Sequence, residues 1–188
     1  MPDLTEFRFR GLVVGAFVLT IFGMLWSTLA VAYWKAHPRW SVPACCIVTV
    51  LLLVGCARRF TSIARMPKAR REFAGPDPRR LRTQFNIIFS MQWAAIGISS
   101  WVLLHTGHST WIPVCTAVIV GLHFLPLART FALPLYYWTG AGCVAGVSVC
   151  LWLDPARRVL CVGLVMAAVL WATAAVMLLQ SRPEEISV

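Results

Sequence analysis

Six long apolar segments, separated by short polar ones, make up most of the chain. An α-helix rises 1.5 Å per residue, so segments of this length cross the roughly 30 Å hydrocarbon core of a bilayer. The pattern predicts an all-α fold, a polytopic membrane helix bundle with six transmembrane helices in one domain. The predicted spans are residues 11–34, 40–57, 85–104, 111–128, 131–153 and 159–179.

The one substantial hydrophilic segment, residues 58–84, is rich in arginine and is predicted to be a basic loop. Six spans place both termini on the same side of the membrane as this loop. Basic residues concentrate on the cytoplasmic side of membrane proteins, which predicts that both termini and the loop are cytoplasmic. Of the 17 lysines and arginines, only four lie on the other side: Lys35, Arg39, Arg157 and Arg158. That opposite interface carries Trp34, Trp40, Trp111 and Trp152, as in an aromatic belt.

Composition supports a membrane location. The 188 residues are 59% hydrophobic and 13% charged, with a mean hydropathy of +0.74. A net charge of +10 would suggest nucleic acid in a soluble protein, but here the basic residues lie between apolar runs. We therefore predict a multi-pass protein of the cell (inner) membrane, in contact with anionic headgroups at the cytoplasmic face and not with nucleic acid. The candidate lipid contacts are Arg58, Arg59, Arg70, Arg71, Arg79 and Arg80.

The sequence carries no pattern typical of an enzyme. Its seven carboxylates all lie outside the spans, and its seven cysteines have no CxxC spacing, so they resemble small packing residues. There is no nucleophile elbow, phosphate loop or HExxH sequence. We predict no catalytic residue, no metal and no cofactor.

The first two helical hairpins resemble each other. Residues 22–26 (FGMLW) match residues 89–93 (FSMQW), and Pro43-x-Cys45 matches Pro113-x-Cys115. This predicts repeated hairpins. The alignment sets both Gln92 and His123 opposite leucines of the first copy. At these aligned positions the polar side chains therefore belong to the second hairpin.

Gln92 and His123 lie at similar predicted depths in the inner half of the bilayer, near the start of the fifth span. One interpretation is a small polar cavity open to the cytoplasm, because an ionisable group inside the membrane is a candidate functional site. The ligand-binding candidates are Asn86, Gln92, His123, Tyr136 and Tyr137. The alternative is that Gln92 and His123 hydrogen-bond each other or a backbone carbonyl and only join helices.

Small residues recur four apart in Gly11-x-x-x-Gly15, in Gly142-x-x-x-Gly146 and in Gly163-x-x-x-Ala167. Such spacings let helices approach closely and predict a tight bundle. They are also compatible with a homo-oligomer, because the sequence does not say which helices they face.

Three segments resemble a family of small uncharacterised bacterial integral membrane proteins with six spans: FNIIFSMQW (85–93), GLHFLPLA (121–128) and PLYYWTG (134–140). The resemblance covers the third to fifth spans and implies no known activity. The function predicted from the residues is a structural or accessory membrane protein. The alternative is a small transporter, channel or lipid-binding protein with a cavity around Gln92 and His123. An enzyme with His123 as base lacks a visible nucleophile or metal.

Overall fold

The computed structural model of the protein describes residues 4–34, 38–64 and 78–181. All regular structure in these ranges is helical, which confirms the predicted all-α class. The helices are α1 (Leu4–Tyr33), α2 (Ser41–Ala64), α3 (Pro78–His105), α4 (Ile112–Phe131), α5 (Leu135–Cys150) and α6 (Pro155–Gln180). A short 3₁₀ turn, Ser109–Trp111, precedes α4.

Five of these helices, all except α5, are long and apolar enough to cross a membrane. The chain is therefore a polytopic membrane protein. Helix α5 has 16 residues and is about 24 Å long, shorter than the predicted span 131–153. It is shorter at both ends, and at its start the reason is that Ala132 adopts a left-handed conformation with φ of 50° and ends α4. The Leu133 N–H then donates to the Ala128 carbonyl, which closes the helix end.

Two helices extend into the predicted basic loop, residues 58–84. Helix α2 continues to Ala64, so Arg58 and Arg59 are helical, and α3 begins at Pro78, so Arg79 and Arg80 lie in its first turn. Arginine is a good helix former, and proline fits the first turn, where its missing N–H would have no partner. Two further candidate lipid contacts, Arg70 and Arg71, lie outside the described residues.

Helix α6 is at the centre of the bundle and packs most extensively on α1. The two backbones approach closely at Gly163, where an added Cβ would lie 2.9 Å from the Ala30 Cβ. The Trp171 indole N–H donates to the Thr20 carbonyl over 3.3 Å, and its ring lies against Gly23. Small residues therefore form this interface, as expected where packing and hydrogen bonds hold helices together.

The small-residue spacings act mainly within the chain. Gly142 and Gly146 of α5 face valines of α6, and Gly163 faces α1. Gly11 differs, because no atom lies within 4 Å of where its Cβ would be. Three of these glycines thus serve the fold of one protomer, and Gly11 borders open space.

Helix α3 lies at the edge of the bundle. Among the described helices it packs extensively on α4 alone. Only 6% of its apolar stretch is buried, against 44% in α1 and in α6. In particular α1 and α3 make little or no direct contact, which leaves a gap between them.

Candidate functional site

A cavity of about 510 Å³ lies among α1, α3, α4, α5 and α6. Its walls come from the first half of α1, the first half of α3, the second half of α4, the start of α5 and the second half of α6. It therefore occupies the end of the bundle at which α1 and α3 begin and α4 ends. The lining residues are Gly11, Val14, Gly15, Val18, Leu19, Phe22, Phe85, Phe89, Gln92, Val120, His123, Phe124, Leu127, Phe131, Leu133, Tyr136 and Leu170.

Gln92 is the most unusual residue of this wall. Its side chain is only 6% exposed, and its Oε1 atom is buried without a hydrogen-bond partner. It follows Phe85 by seven residues on α3 and so lies about 10 Å deeper along the helix axis. A buried carbonyl oxygen left unpaired costs about 1–3 kcal/mol, so this arrangement needs a physical reason.

His123 uses one ring nitrogen within its own helix. Its Nδ1 lies 2.8 Å from the Val120 carbonyl oxygen. A carbonyl only accepts hydrogen bonds, so Nδ1 carries the proton, and Nε2 of the neutral ring presents a lone pair. No described residue pairs with Nε2. The ring is half-buried and packs at 4.7 Å between centroids against Phe124.

Tyr136 begins α5 and lies beside the same space. Its side chain is 7% exposed, and its ring packs on Phe124 at 5.6 Å between centroids. The hydroxyl oxygen lies against the backbone of Gly15, where an added Cβ would come within 2.8 Å of it. No described residue hydrogen-bonds this hydroxyl. Gly15 therefore makes room for the tyrosine at the cavity wall.

The structure brings together three of the five predicted ligand-binding residues. Asn86 and Tyr137 are exposed and do not line the cavity. Asn86 precedes Gln92 by six residues, which is about 240° around a helix, so the two side chains face different ways. Tyr137 is about 100° from Tyr136 for the same reason.

Neither polar residue links two helices. Gln92 and His123 do not hydrogen-bond each other, and His123 bonds only within α4. The interpretation of these residues as interhelical links is therefore not what the structure shows. The hydrogen bonds that do join helices, Thr139 with Thr173 and Trp171 with Thr20, lie elsewhere.

Sequence reasoning missed two parts of the wall. The first is the contribution of α1, where Gly11 and Gly15 supply space instead of side chains. The second is its aromatic character, because five phenylalanines surround the three polar residues, one of which is itself a tyrosine. Neither glycine nor phenylalanine is distinctive in a membrane span, so only their positions around Gln92 and His123 identify them.

None of the lining residues that the structure describes is charged. The candidate lipid contacts Arg58, Arg79 and Arg80 are exposed at the same end of the bundle, and Arg59 is half-buried. Among the described residues, no three His, Cys, Asp or Glu side chains lie together as metal ligands would. The described part of the site is thus neutral and mostly apolar, with polar groups that can both donate and accept hydrogen bonds.

The fold and this site define a class: an all-helical polytopic membrane protein with a polar group buried beside an intramembrane cavity. Comparison with known sequences identifies the family of the chain within this class. Residues 83–180, more than half of the chain, match a family of unknown function, DUF7010, and the chain belongs to that family. The match runs from the first turns of α3 to the end of α6, so it includes Gln92, His123 and Tyr136. No curated protein and no solved structure matches the chain.

The sequence resemblance to an uncharacterised family is confirmed by this match. The matched region excludes α1 and α2, although α1 supplies one wall of the cavity. The polar side chains thus belong to the matched part, and the opposite wall is contributed by the rest of the chain.

Proposed function

We propose that this membrane protein binds a small uncharged amphipathic molecule in the cavity beside Gln92. The observation that carries the proposal is the unpaired, buried Oε1 of Gln92 in the cavity wall. The Gln92 amide has no hydrogen-bond partner among the described residues, and a ligand with both a donor and an acceptor would supply one. The volume, about 510 Å³, is also in the range of small-molecule sites, roughly 300–1,000 Å³.

Binding, rather than catalysis, is the activity that the lining residues support. Among the described residues of the cavity wall, His123 has no serine, cysteine, carboxylate or cation beside it. General-base catalysis needs a nucleophile or a polarised substrate within reach of the base, and these side chains offer neither. We accordingly propose a carrier, transporter or lipid-binding role and no enzyme activity.

The test is to purify the protein in native nanodiscs and extract what it retains. Mass spectrometry of the extract should show at least one species enriched over the surrounding lipid. Gly11→Phe should remove that enrichment, because Gly11 lines the cavity and has open space where a side chain would extend. The matched control is Gly97→Phe in α3, which also has open space but lies outside the cavity. Identical extracts from the wild type and Gly11→Phe would contradict the proposal.

A structural or accessory role is the second candidate function. The observation in its favour is the exposed, apolar α3, which among the described helices packs extensively only on α4 and leaves most of its surface free for lipid or another protein. A homo-oligomer through α3 would be one form of this role. Cross-linking of the protein in nanodiscs at one copy per disc and at several copies per disc tests it.

The orientation is also part of the proposal: six spans in a bacterial inner membrane, with both termini cytoplasmic and with α5 as the shortest span. The concentration of basic residues near the cavity end supports this orientation. Repeated hairpins remain a prediction from the matched residues of α1 and α3. Fusions of green fluorescent protein and alkaline phosphatase after Val188 test the orientation, because the first fluoresces only in the cytoplasm and the second is active only outside it.

The arginines at this end would contact anionic lipid headgroups. Arg58, Arg79 and Arg80 are exposed at helix ends, where long basic side chains reach the membrane interface. Replacing Arg79 and Arg80 with glutamine should weaken retention of phosphatidylglycerol relative to phosphatidylcholine in the same nanodisc extracts. An unchanged ratio of the two lipids would argue against these contacts.

A further inference from the structure

The polar groups of the cavity wall determine which hydrogen-bonding groups a ligand needs. His123 commits its Nδ1 proton to the Val120 carbonyl over 2.8 Å, so Nε2 of the neutral ring can only accept. Beside it lies the Gln92 amide, whose Oε1 is buried and unpaired and whose NH2 group is a donor. The Tyr136 hydroxyl can donate or accept. The lone pair of His123 Nε2 is therefore complemented by a ligand group that donates a hydrogen bond, and the Gln92 amide by a group that can also accept one.

The same wall disfavours an ionised ligand. Among the described side chains, no lysine, arginine, aspartate or glutamate lines the cavity, so these side chains offer no counter-charge to a carboxylate, phosphate or ammonium group. Burying an unpaired charge is far more costly than burying a hydroxyl that finds partners. The complementary head group is thus an uncharged donor, of which a hydroxyl is the simplest.

The cavity also opens sideways. Helices α1 and α3 supply opposite walls but make little or no contact with each other. Residues on both sides of this gap line the cavity and yet remain exposed: Val14 at 48%, Val18 at 41%, Phe85 at 38% and Phe89 at 37%. Because the surrounding surface is apolar helix in a membrane protein, the gap faces lipid. The apolar chain of a ligand longer than the cavity can extend through this gap into the lipid.

From these observations we propose that the cavity holds the hydroxyl end of an uncharged, long-chain alcohol drawn from the bilayer. The hydroxyl donates to His123 Nε2 and lies beside Gln92. The apolar chain follows the phenylalanine wall and leaves between α1 and α3. This proposal rests on the proposed binding function and adds to it the chemical class of the ligand and the path of its tail.

The test uses photoreactive probes with the full-length protein in nanodiscs of phosphatidylcholine. The probes are a diazirine-bearing octadecanol, its methyl ether and the octadecanoic acid of the same chain, and labelled peptides are located by mass spectrometry. We expect the alcohol to label residues 11–22 and 85–92 about threefold to tenfold more than the ether, the factor given by one net hydrogen bond. The acid should label less than the alcohol at neutral pH.

Two variants make the assignment specific. His123→Leu should reduce labelling by the alcohol to the level of the ether and leave labelling by the ether unchanged. Gly11→Phe should reduce labelling by both, and Gly97→Phe by neither, since only Gly11 borders the cavity. A diazirine-bearing octanol should label the same peptides as the octadecanol, because the open gap places no limit on chain length.

The outcomes separate the two proposals. Equal labelling of the cavity peptides by alcohol and ether would overturn the hydroxyl assignment and leave binding intact. Strongest labelling by the acid would overturn the requirement for an uncharged head, and labelling by octanol but not octadecanol would overturn the open path for the tail. No labelling of the cavity peptides by any probe, with lipid-facing residues of α3 labelled normally, would overturn both the ligand class and the binding function.

Discussion

The hydroxyl oxygens of Thr139 in α5 and Thr173 in α6 lie 2.9 Å apart in the buried interior. Each also lies near a carbonyl of its own helix, Leu135 at 3.0 Å and Val169 at 2.8 Å. Because a hydroxyl has one hydrogen, one threonine donates to its own helix while the other donates across the interface. This is the kind of interhelical link that one of the two interpretations of the sequence predicted for Gln92 and His123.

Thr139→Val should therefore destabilise the bundle. It keeps the shape of the side chain and removes the link between α5 and α6, for an expected loss of about 0.6–1.7 kcal/mol in the free energy of unfolding. Unfolding by SDS titration from mixed micelles, followed by tryptophan fluorescence, measures this. Ser148→Ala is the control in the same helix, since Ser148 is exposed and bonds only the Val144 carbonyl of α5. Equal losses in the two variants would contradict the role of the threonine pair.

Gln92→Leu, unlike Thr139→Val, should not lower the free energy of unfolding. The unpaired Oε1 of Gln92 costs the empty protein free energy, so replacing the amide by a leucine of similar size should leave stability unchanged or raise it by up to about 2 kcal/mol. The same SDS titration, on protein stripped of bound lipid by detergent exchange, measures the effect. A loss as large as that of Thr139→Val would mean that Gln92 holds the fold together, and the binding proposal would lose its main support.

The closest backbone approach between α4 and α5 gives a third prediction. A Cβ added at Gly140 would lie 2.8 Å from the Gly121 carbonyl oxygen, and backbone cannot move aside as a flexible side chain can. Gly140→Ala should therefore separate the helices and destabilise the protein by about 1–3 kcal/mol. SDS titration again supplies the number.

Gly97→Ala is the matched control for that variant. Gly97 is also helical, but no atom lies within 4 Å of where its Cβ would be. Alanine is the better helix former by about 0.8–1.0 kcal/mol, so this change should not destabilise the protein. If both alanine variants lost stability equally, the effect would come from the helix backbone and not from the α4–α5 contact.

Much of the fold follows from the hydrophobic pattern because a bilayer allows few alternatives. Long apolar runs must be helices there, since each helix satisfies its own backbone hydrogen bonds. The turn at Ala132 was not predictable, because a left-handed alanine has no sequence signature of the kind that glycine provides. The position of α3 at the edge of the bundle was also hidden, since a span that faces lipid and a span that faces protein are both apolar, and α3 is apolar enough to cross a membrane.

The level of the candidate site in the membrane was predictable from the sequence, but the complete set of its residues was not. Hairpin geometry places Gln92, His123 and Tyr136 at one level, and the structure brings them to one cavity. Residue spacing around a helix would have separated Asn86 from Gln92, because six residues turn a helix by about 240°. The α1 wall was not predictable, because helix neighbours depend on packing that no single span encodes.

A last prediction concerns the opposite end of the bundle, where Arg158 of α6 reaches the start of α4. Its guanidinium carbon lies 4.5 Å from the centroid of the Trp111 ring, and its Nη2 donates to the Leu153 carbonyl over 3.0 Å. A cation above an indole is attracted to the negative face of the ring, by about 0.5–2 kcal/mol depending on solvent exposure. The contact therefore joins the first turns of two helices that are distant in sequence.

A double-mutant cycle with Arg158→Gln and Trp111→Leu measures this contact directly. Each change alone should destabilise the protein, and the two together should cost less than their sum, by about 0.5–2 kcal/mol of coupling energy. The neighbouring Arg157 is the control, because its ion pair with Asp154 is exposed and Arg157→Gln should change stability by less than about 1 kcal/mol. Exactly additive losses from Arg158→Gln and Trp111→Leu would mean that the ring and the cation stabilise the protein independently. In that case α4 and α6 would be held at this end by apolar packing alone.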